Sequence, residues 1–314
     1  MSVDRGALRK SLRTDLSPGP RTRLKRGALR LRQATHVPAL LAGGRVREPI
    51  FIVGAPRSGT SLLYAIVRSS PALAHWPGEA HEIWEADFHP ALRGWSSNAL
   101  DASDARGRAG ERIRRSFFLV TGSRRRLVDK TPRNSLRIPF VDALFDDARY
   151  VLLVRDGRDN VNSLLNAWRT PRYRTYRLPE PHSIPGVDPA WWKFVLYPGW
   201  REDTSGPLEV VCARQWSASN RYALDALEAI DAGRWVQVRY EDLVADPAGV
   251  TERVLSSLAL PVDEGMRRRA RALAATPVNV VTPPEAGKWR RENAAEIEAV
   301  APVMAPVLER LGYR

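Results

Sequence analysis

Ile50-Phe51-Ile52-Val53-Gly54-Ala55-Pro56-Arg57-Ser58-Gly59-Thr60-Ser61 is the stretch that decides the fold of this chain. Four apolar residues run without a break into Gly54, the pattern of a short strand buried on both faces. Leu62, Leu63, Ile66 and Val67 then recur at helical spacing until Ser69-Ser70-Pro71 ends them. Between strand and helix, Gly54, Gly59 and Thr60-Ser61 reproduce the phosphate-loop spacing GxxxxGK[ST] with one substitution. Small residues let the backbone N–H groups turn inward, and the helix start adds its positive dipole end, so the loop can cradle a phosphate-like anion. The substitution selects the anion. Thr60 stands where a triphosphatase carries the lysine that reaches the β and γ phosphates. Arg57, earlier in the loop, is the cation that remains, and no acidic strand end of the usual kind supplies a Mg²⁺ ligand. The loop reads as a site for a nucleotide with one 5′-phosphate-linked group to transfer and no metal.

Outward from the loop, Leu127-Val128 reads as a second short strand, broken at Pro132. Tyr150-Val151-Leu152-Leu153-Val154 is the strongest strand signal; it runs through Arg155-Asp156-Gly157 into a helix with Val161, Leu164, Leu165 and Trp168 on one face. Residues 91–125, rich in Arg and Gly, read as a surface helix with loops. Residues 170–207 carry many Pro, Gly and Trp residues without a period, as in an elaborated loop or lid. Trp216, Ala223, Leu227 and Ile230 mark an amphipathic helix, and Val236, Val238 and Tyr240 alternate as a strand. Asp246-Pro247 opens another helix. Ile297 to Leu311 reads as a terminal helix that Pro302 and Pro306 kink or split. Strands separated by helices predict an α/β fold, a mostly parallel central sheet flanked by helices on both faces. No repeat or linker divides residues 49–314, which read as a single domain behind a basic arm of residues 1–48.

The 314 residues, 44% hydrophobic and with ten Trp, exclude disorder for most of the chain. One cysteine, Cys212, rules out an intramolecular disulfide and a CxxC motif. The five His (36, 75, 81, 89 and 182) show no paired-ligand spacing, so no protein-held metal is expected. The net charge of +14 is concentrated in the arm, where residues 1–48 hold twelve Lys/Arg against three Asp/Glu. Such an arm fits a solvated or partly helical tail, or peripheral contact with an anionic surface such as a membrane. It has no aromatic residue before Phe51 to stack on bases, so nucleic acid is not expected as the main partner. No run of 18 apolar residues exists, and the apolar stretch Val37 to Ala42 is short for a secretory signal. A cytoplasmic protein is expected, although an Arg-rich, acid-poor start also fits an organelle transit peptide.

A second anion site falls after the strongest strand. Arg155 ends it and Ser163 lies within the following helix, a fork-shaped guanidinium and a neutral donor able to converge on another phosphate. Taken alone, Arg155-Asp156-Gly157-Arg158-Asp159 also fits a solvated turn with local ion pairs. Ile52 to Leu63 (IVGAPRSGTSLL) and Tyr150 to Trp168 (YVLLVRDGRDNVNSLLNAW) resemble the two nucleotide signatures of sulfotransferases that use 3′-phosphoadenosine 5′-phosphosulfate (PAPS). The resemblance continues in order through Asp129-Lys130-Thr131-Pro132, Arg239-Tyr240-Glu241-Asp242-Leu243 and Gly287-Lys288-Trp289-Arg290. Arg-Ser-Gly-Thr in the loop is similar to the bacterial and Golgi-type branch; cytosolic aryl sulfotransferases usually carry Lys at the position of Arg57.

The resemblance implies the P-loop-NTPase-like sulfotransferase fold and sulfuryl transfer from PAPS to a hydroxyl or amine of a small-molecule or glycan acceptor, without a metal. It implies that Arg57, Ser58, Gly59, Thr60 and Ser61 hold the 5′-phosphosulfate, and that Arg155 and Ser163 hold the 3′-phosphate. Arg57 and Lys130 would stabilise charge on the bridging oxygen, and Lys288 and Arg290 would reach the nucleotide's 3′ side. The general base is expected in Gly78-Glu79-Ala80-His81-Glu82-Ile83-Trp84, with Glu79 ranked first, Glu82 second and His81 third. Trp168, Trp191, Trp192, Trp200 and Trp216 read equally as acceptor-stacking faces or as the small core of a long loop. Two competing readings are a P-loop small-molecule kinase, against which Thr60 speaks, and a nucleic-acid or membrane-binding protein that works through its arm.

Overall fold

Successive residues of strand β1 (Ile50–Val53) face opposite sides of the sheet, and both sides are covered. Phe51 and Val53 join an apolar cluster with Trp84, Phe117, Leu164 and Trp168. Ile50 and Ile52 join a second with Leu63, Ile66, Val254 and Leu255. The computed structural model describes residues 33–276 and 285–313. After β1 come β2 (Leu73–Ala74), β3 (Arg126–Lys130) and β4 (Arg149–Val154). A hairpin of β5 (Arg174–Arg177) and β6 (Trp191–Lys193) follows, then β7 (Trp235–Arg239). The main sheet has five strands in the order β2-β3-β1-β4-β7, every pair parallel. The chain moves from β1 toward β3 on one side and returns to β4 on the other, so a topological switch point lies between β1 and β4. The crevice beyond the carboxyl ends of these two strands is where Gly54 and Arg155 emerge.

The expected strand–loop–helix is present, with the helix Thr60–Val67 directly after the loop. Arg155-Asp156 leads from β4 into the helix Gly157–Arg169, whose start Asp156 caps by accepting from Arg158 N. Asp246 likewise caps the helix Pro247–Ser257 by accepting from Gly249 N. The C-terminal stretch is split, as Ala294–Ala299 and Ala301–Arg310, with Pro302 in the first turn of the second piece.

Several expectations are corrected. The helix Gly107–Thr121 is no surface decoration, because Ile113, Phe117 and Phe118 are buried against the sheet. Tyr240 does not extend the last strand; it opens the helix Tyr240–Ala245. Residues 170–207 contain the hairpin β5–β6. Trp168, Trp192, Trp200 and Trp216 are all buried, with Trp192 edge-on to Trp168 (5.3 Å) and to Trp200 (4.9 Å). These four are core rather than acceptor-stacking faces, while Trp191 is half-buried with Arg174 over its ring at 5.7 Å. The charge-rich part of the arm, residues 1–32, lies outside the described residues; residues 33–41 form a helix tied to the body where His36 Nδ1 meets Leu119 O at 2.8 Å.

Candidate active site

The loop after β1 is held in shape from three sides. Ser135 Oγ accepts from Gly54 N and donates to Gly54 O, both at 3.0 Å. The Asn160 amide nitrogen donates to Pro56 O (3.0 Å) and its oxygen accepts from Ser58 N (3.1 Å), in the amide orientation that satisfies both. Tyr240 closes the third side, so near Gly59 (φ +100°) that a Cβ there would lie 2.3 Å from its ring. Glycine is required by both the backbone and the space. Ser58 is buried, and its hydroxyl has no hydrogen-bond partner among the described residues. A Gly-lined turn at a helix start fits a phosphate or sulfonate.

Two guanidinium groups face this loop. Arg57 donates from Nε to Ser163 Oγ and from Nη1 to Tyr173 OH, both at 3.4 Å. Burial lowers its pKa against the opposing effect of Tyr173. Arg155, 9% exposed, donates to Arg57 O at 3.3 Å and lies over the Tyr240 ring at 4.8 Å. Arg57 thus spans the two expected anion pockets, with Ser163 at one end of its reach.

Opposite them, the segment 79–85 docks on residues 129–133 through three polar pairs. Glu79 is ion-paired with Lys130; Trp84 Nε1 donates to Asp129 Oδ2 at 3.0 Å; Glu85 pairs with Arg133 at 2.5 Å. Lys130 Nζ also donates to Ser61 Oγ (3.2 Å), so one ammonium bridges the loop and the Glu79 carboxylate. The other Glu79 oxygen meets His81 Nε2 at 2.6 Å. Removal from water pushes the Glu79 carboxyl up, but Lys130 and then His81 outweigh it and hold it well below the usual carboxylate range. His81 Nδ1 is buried without a hydrogen-bond partner among the described residues, leaving Nε2, already engaged by Glu79, as the ring's contact.

The Glu85–Arg133 pair is buried with Arg137, whose Nε donates to Asn134 Oδ1 at 2.8 Å, and Tyr176 OH donates to Glu85 Oε1 at 2.9 Å. Burial would raise the Glu85 pKa, but Arg133 overrides it and brings it down to about 2. Its contribution to stability is complete above the ordinary carboxylate pKa and is lost as pH falls toward 2. Glu85→Gln should cost about 3–5 kcal/mol at neutral pH, because two arginines lose their buried counter-charge. Urea unfolding checks this: the wild-type midpoint should fall between pH 4.5 and 2, and the variant should lack that slope.

The two guanidinium groups, the Glu79–Lys130 pair and Arg133 line one cavity of about 330 Å³, within the usual range for small-molecule sites. Of the expected residues, Arg57, Gly59, Thr60, Ser61, Glu79, His81, Lys130, Arg155, Ser163 and Lys288 are on its wall. Ser58 lies beneath the loop, and Glu82 and Arg290 are off the wall; Arg290 stacks on Trp289 at 4.7 Å. Lys288 is held by Glu292 (3.1 Å), which accepts from Asn162 (2.9 Å) and Asn166 (2.8 Å). Sequence reasoning missed Asn160, Tyr173, Thr175, Phe194, Asp159 and Tyr240. Asp159, Asn160 and Tyr240 stand inside stretches quoted for the resemblance; Tyr173, Thr175 and Phe194 give no signal. Among the described residues no group of His, Cys, Asp or Glu is placed to hold a metal, and no helix is long and apolar enough to cross a membrane.

A Gly-lined loop and a buried arginine stand at adjacent strand ends with a carboxylate–ammonium pair beside the loop, an arrangement that suits a nucleotide-dependent group-transfer enzyme. The chain belongs to the sulfotransferase family, whose model matches residues 49–183 and 191–264, and it is a PAPS-dependent sulfotransferase. It is 25% identical to protein-tyrosine sulfotransferase A of Caenorhabditis elegans, over 91% of this chain and 72% of that protein. It is 23% identical to protein-tyrosine sulfotransferase 1 of Danio rerio, over 84% of this chain and 72% of that protein. Its fold is similar to that of sulfotransferase STF9 from Mycobacterium avium, with a TM-score of 0.62 at 18% identity, covering 96% of this chain and 88% of that one. The kinase reading is not favoured by these findings.

Proposed function

We propose that Glu79 is the general base and that Arg57 and Lys130 carry the developing charge when the sulfuryl group passes from PAPS to the hydroxyl of a small-molecule or carbohydrate acceptor. The observation that carries this reading is the position of Lys130, whose ammonium bonds both Ser61 of the loop and Glu79. The Glu79 carboxylate takes the acceptor's proton as the acceptor oxygen bonds to sulfur. The bond from sulfur to the 5′-phosphate oxygen breaks, and its electron pair stays on that oxygen, opposite Arg57 and Lys130. Adenosine 3′,5′-bisphosphate leaves. Thr60, Ser61 and the backbone N–H groups of the loop hold the 5′ end, while Arg155 and Ser163 hold the 3′-phosphate. Lys288, on the cavity wall, is the basic residue of this segment placed to reach the nucleotide's 3′ side, whereas Arg290 lies off the wall.

Residues 49–314 perform this chemistry and the basic arm stands outside it. Calorimetry with adenosine 3′,5′-bisphosphate in EDTA should show clear one-site binding, and labelled PAPS with hydroxylated acceptors should yield labelled product. Deleting residues 1–32, which leaves the helix docked through His36 in place, should leave both unchanged. Tight ATP binding that requires Mg²⁺, or loss of transfer on deletion of the arm, would overturn the reading.

A further inference from the structure

Among the described residues, six other than glycine have a left-handed backbone, and three of them meet at the cavity: Arg57 (φ 70°), Tyr173 (φ 61°) and Phe194 (φ 63°). Bulky residues seldom adopt this conformation, and those that do cluster at ligand clamps. Tyr173 directly precedes β5 and Phe194 directly follows β6, so both occupy the open end of the hairpin. Their rings pack at 5.5 Å with an interplanar angle of 33° and form one continuous wall. The Arg57 guanidinium lies 5.0 Å from the Tyr173 centroid, which places this wall beside the cation expected at the sulfuryl group.

One hydroxyl pins both strained residues. Thr175 Oγ1 accepts from Phe194 N at 2.9 Å and donates to Tyr173 O at 3.2 Å. Behind it, Lys193 is buried and donates to Ala167 O (3.2 Å), Trp168 O (2.7 Å) and Thr170 O. The hairpin is thereby fastened to the end of the helix that carries Ser163. The wall is thus held from behind and stands beside Arg57 and the helix of Ser163.

We infer that Tyr173 and Phe194 are the acceptor-recognition wall, set by Thr175, and that they select an aryl hydroxyl. This inference rests on the sulfotransfer reading of the site and extends it to the acceptor. An aromatic ring is matched by tilted aromatic faces. A pyranose would need several free polar groups to satisfy its other hydroxyls. The hydroxyl of Thr175 already gives and takes a bond, and Arg174 is paired with Asp188 at 2.9 Å. The aryl hydroxyl can come from a free phenol or from a tyrosyl side chain.

The test measures steady-state kinetics with 4-nitrophenol, a tyrosine-containing peptide and a methyl glucoside, alongside calorimetry with adenosine 3′,5′-bisphosphate. At least one aryl acceptor should be sulfated far better than the glucoside, and which one identifies the source. Phe194→Gly, which suits the left-handed backbone, should raise the aryl KM about tenfold or more with a smaller change in kcat and near-normal bisphosphate affinity. Thr175→Val should behave similarly, and Thr175→Ser should restore the wild-type KM. Failure of wild-type protein to bind the bisphosphate would sink the functional reading itself. Normal binding with preference for the glucoside, or with an aryl KM untouched by Phe194→Gly, would overturn the inference about the wall alone.

Discussion

Glu79→Gln is expected to lower kcat by about 10³-fold, in the range usual for loss of a general base, while the affinity for adenosine 3′,5′-bisphosphate stays close to wild type. The carboxylate is reached from two sides, by Lys130 and by His81 Nε2. Glutamine keeps the shape and one acceptor but cannot take a proton. Because burial is outweighed by Lys130 and His81, the Glu79 carboxyl sits below the usual carboxylate range. A base works only when deprotonated, so activity is lost as pH falls through its pKa. The acidic limb of kcat/KM, which reports the free enzyme, should therefore lie at unusually low pH in the wild type. Lys130→Met removes the ammonium that holds the carboxyl down and should move that limb upward, in addition to lowering kcat. Unchanged turnover in Glu79→Gln would transfer the base to Glu82 or His81. The geometry makes each a harder case, since Glu82 is off the cavity wall and the free nitrogen of His81 is buried.

The parts of the fold that could be read in the sequence are those encoded locally. β1, the loop and the helix Thr60–Val67 are adjacent, and a strand buried on both faces announces itself as an unbroken apolar run. β2 was missed because two residues hold no period. The helix Gly107–Thr121 was undervalued because its arginines separate the buried Ile113, Phe117 and Phe118. In the site, the residue types were visible but their partners were not. Glu79 lies 51 residues from Lys130, and Trp84 lies 45 from Asp129; they meet once β2, which precedes this segment, pairs with β3. The aromatic wall was hidden for the same reason, since Tyr173 and Phe194 flank opposite strands of a hairpin with a long excursion between them. The more conspicuous tryptophans Trp168, Trp192, Trp200 and Trp216 are buried in the core behind it.

Arg155→Ala should weaken adenosine 3′,5′-bisphosphate by about 100-fold. Removing one partner of a buried, hydrogen-bonded charge pair costs about 2–5 kcal/mol, and each 1.4 kcal/mol is tenfold. Arg155 is held at the end of β4 over the Tyr240 ring, which leaves its fork little freedom to lose on binding. Arg155→Lys should recover only part of the loss, because a point charge replaces a planar fork. Ser163→Ala, which removes a neutral donor, should cost less, about tenfold. The two pockets can be separated with adenosine 5′-monophosphate, which lacks the 3′-phosphate. If Arg155 grips that group, the monophosphate should bind wild type and Arg155→Ala equally. Arg155 also donates to Arg57 O, however, and so supports the loop from behind. Equal weakening of both nucleotides would mean that this support is its real contribution, and the 3′-phosphate would then have to be assigned to Ser163 and Lys288 without it.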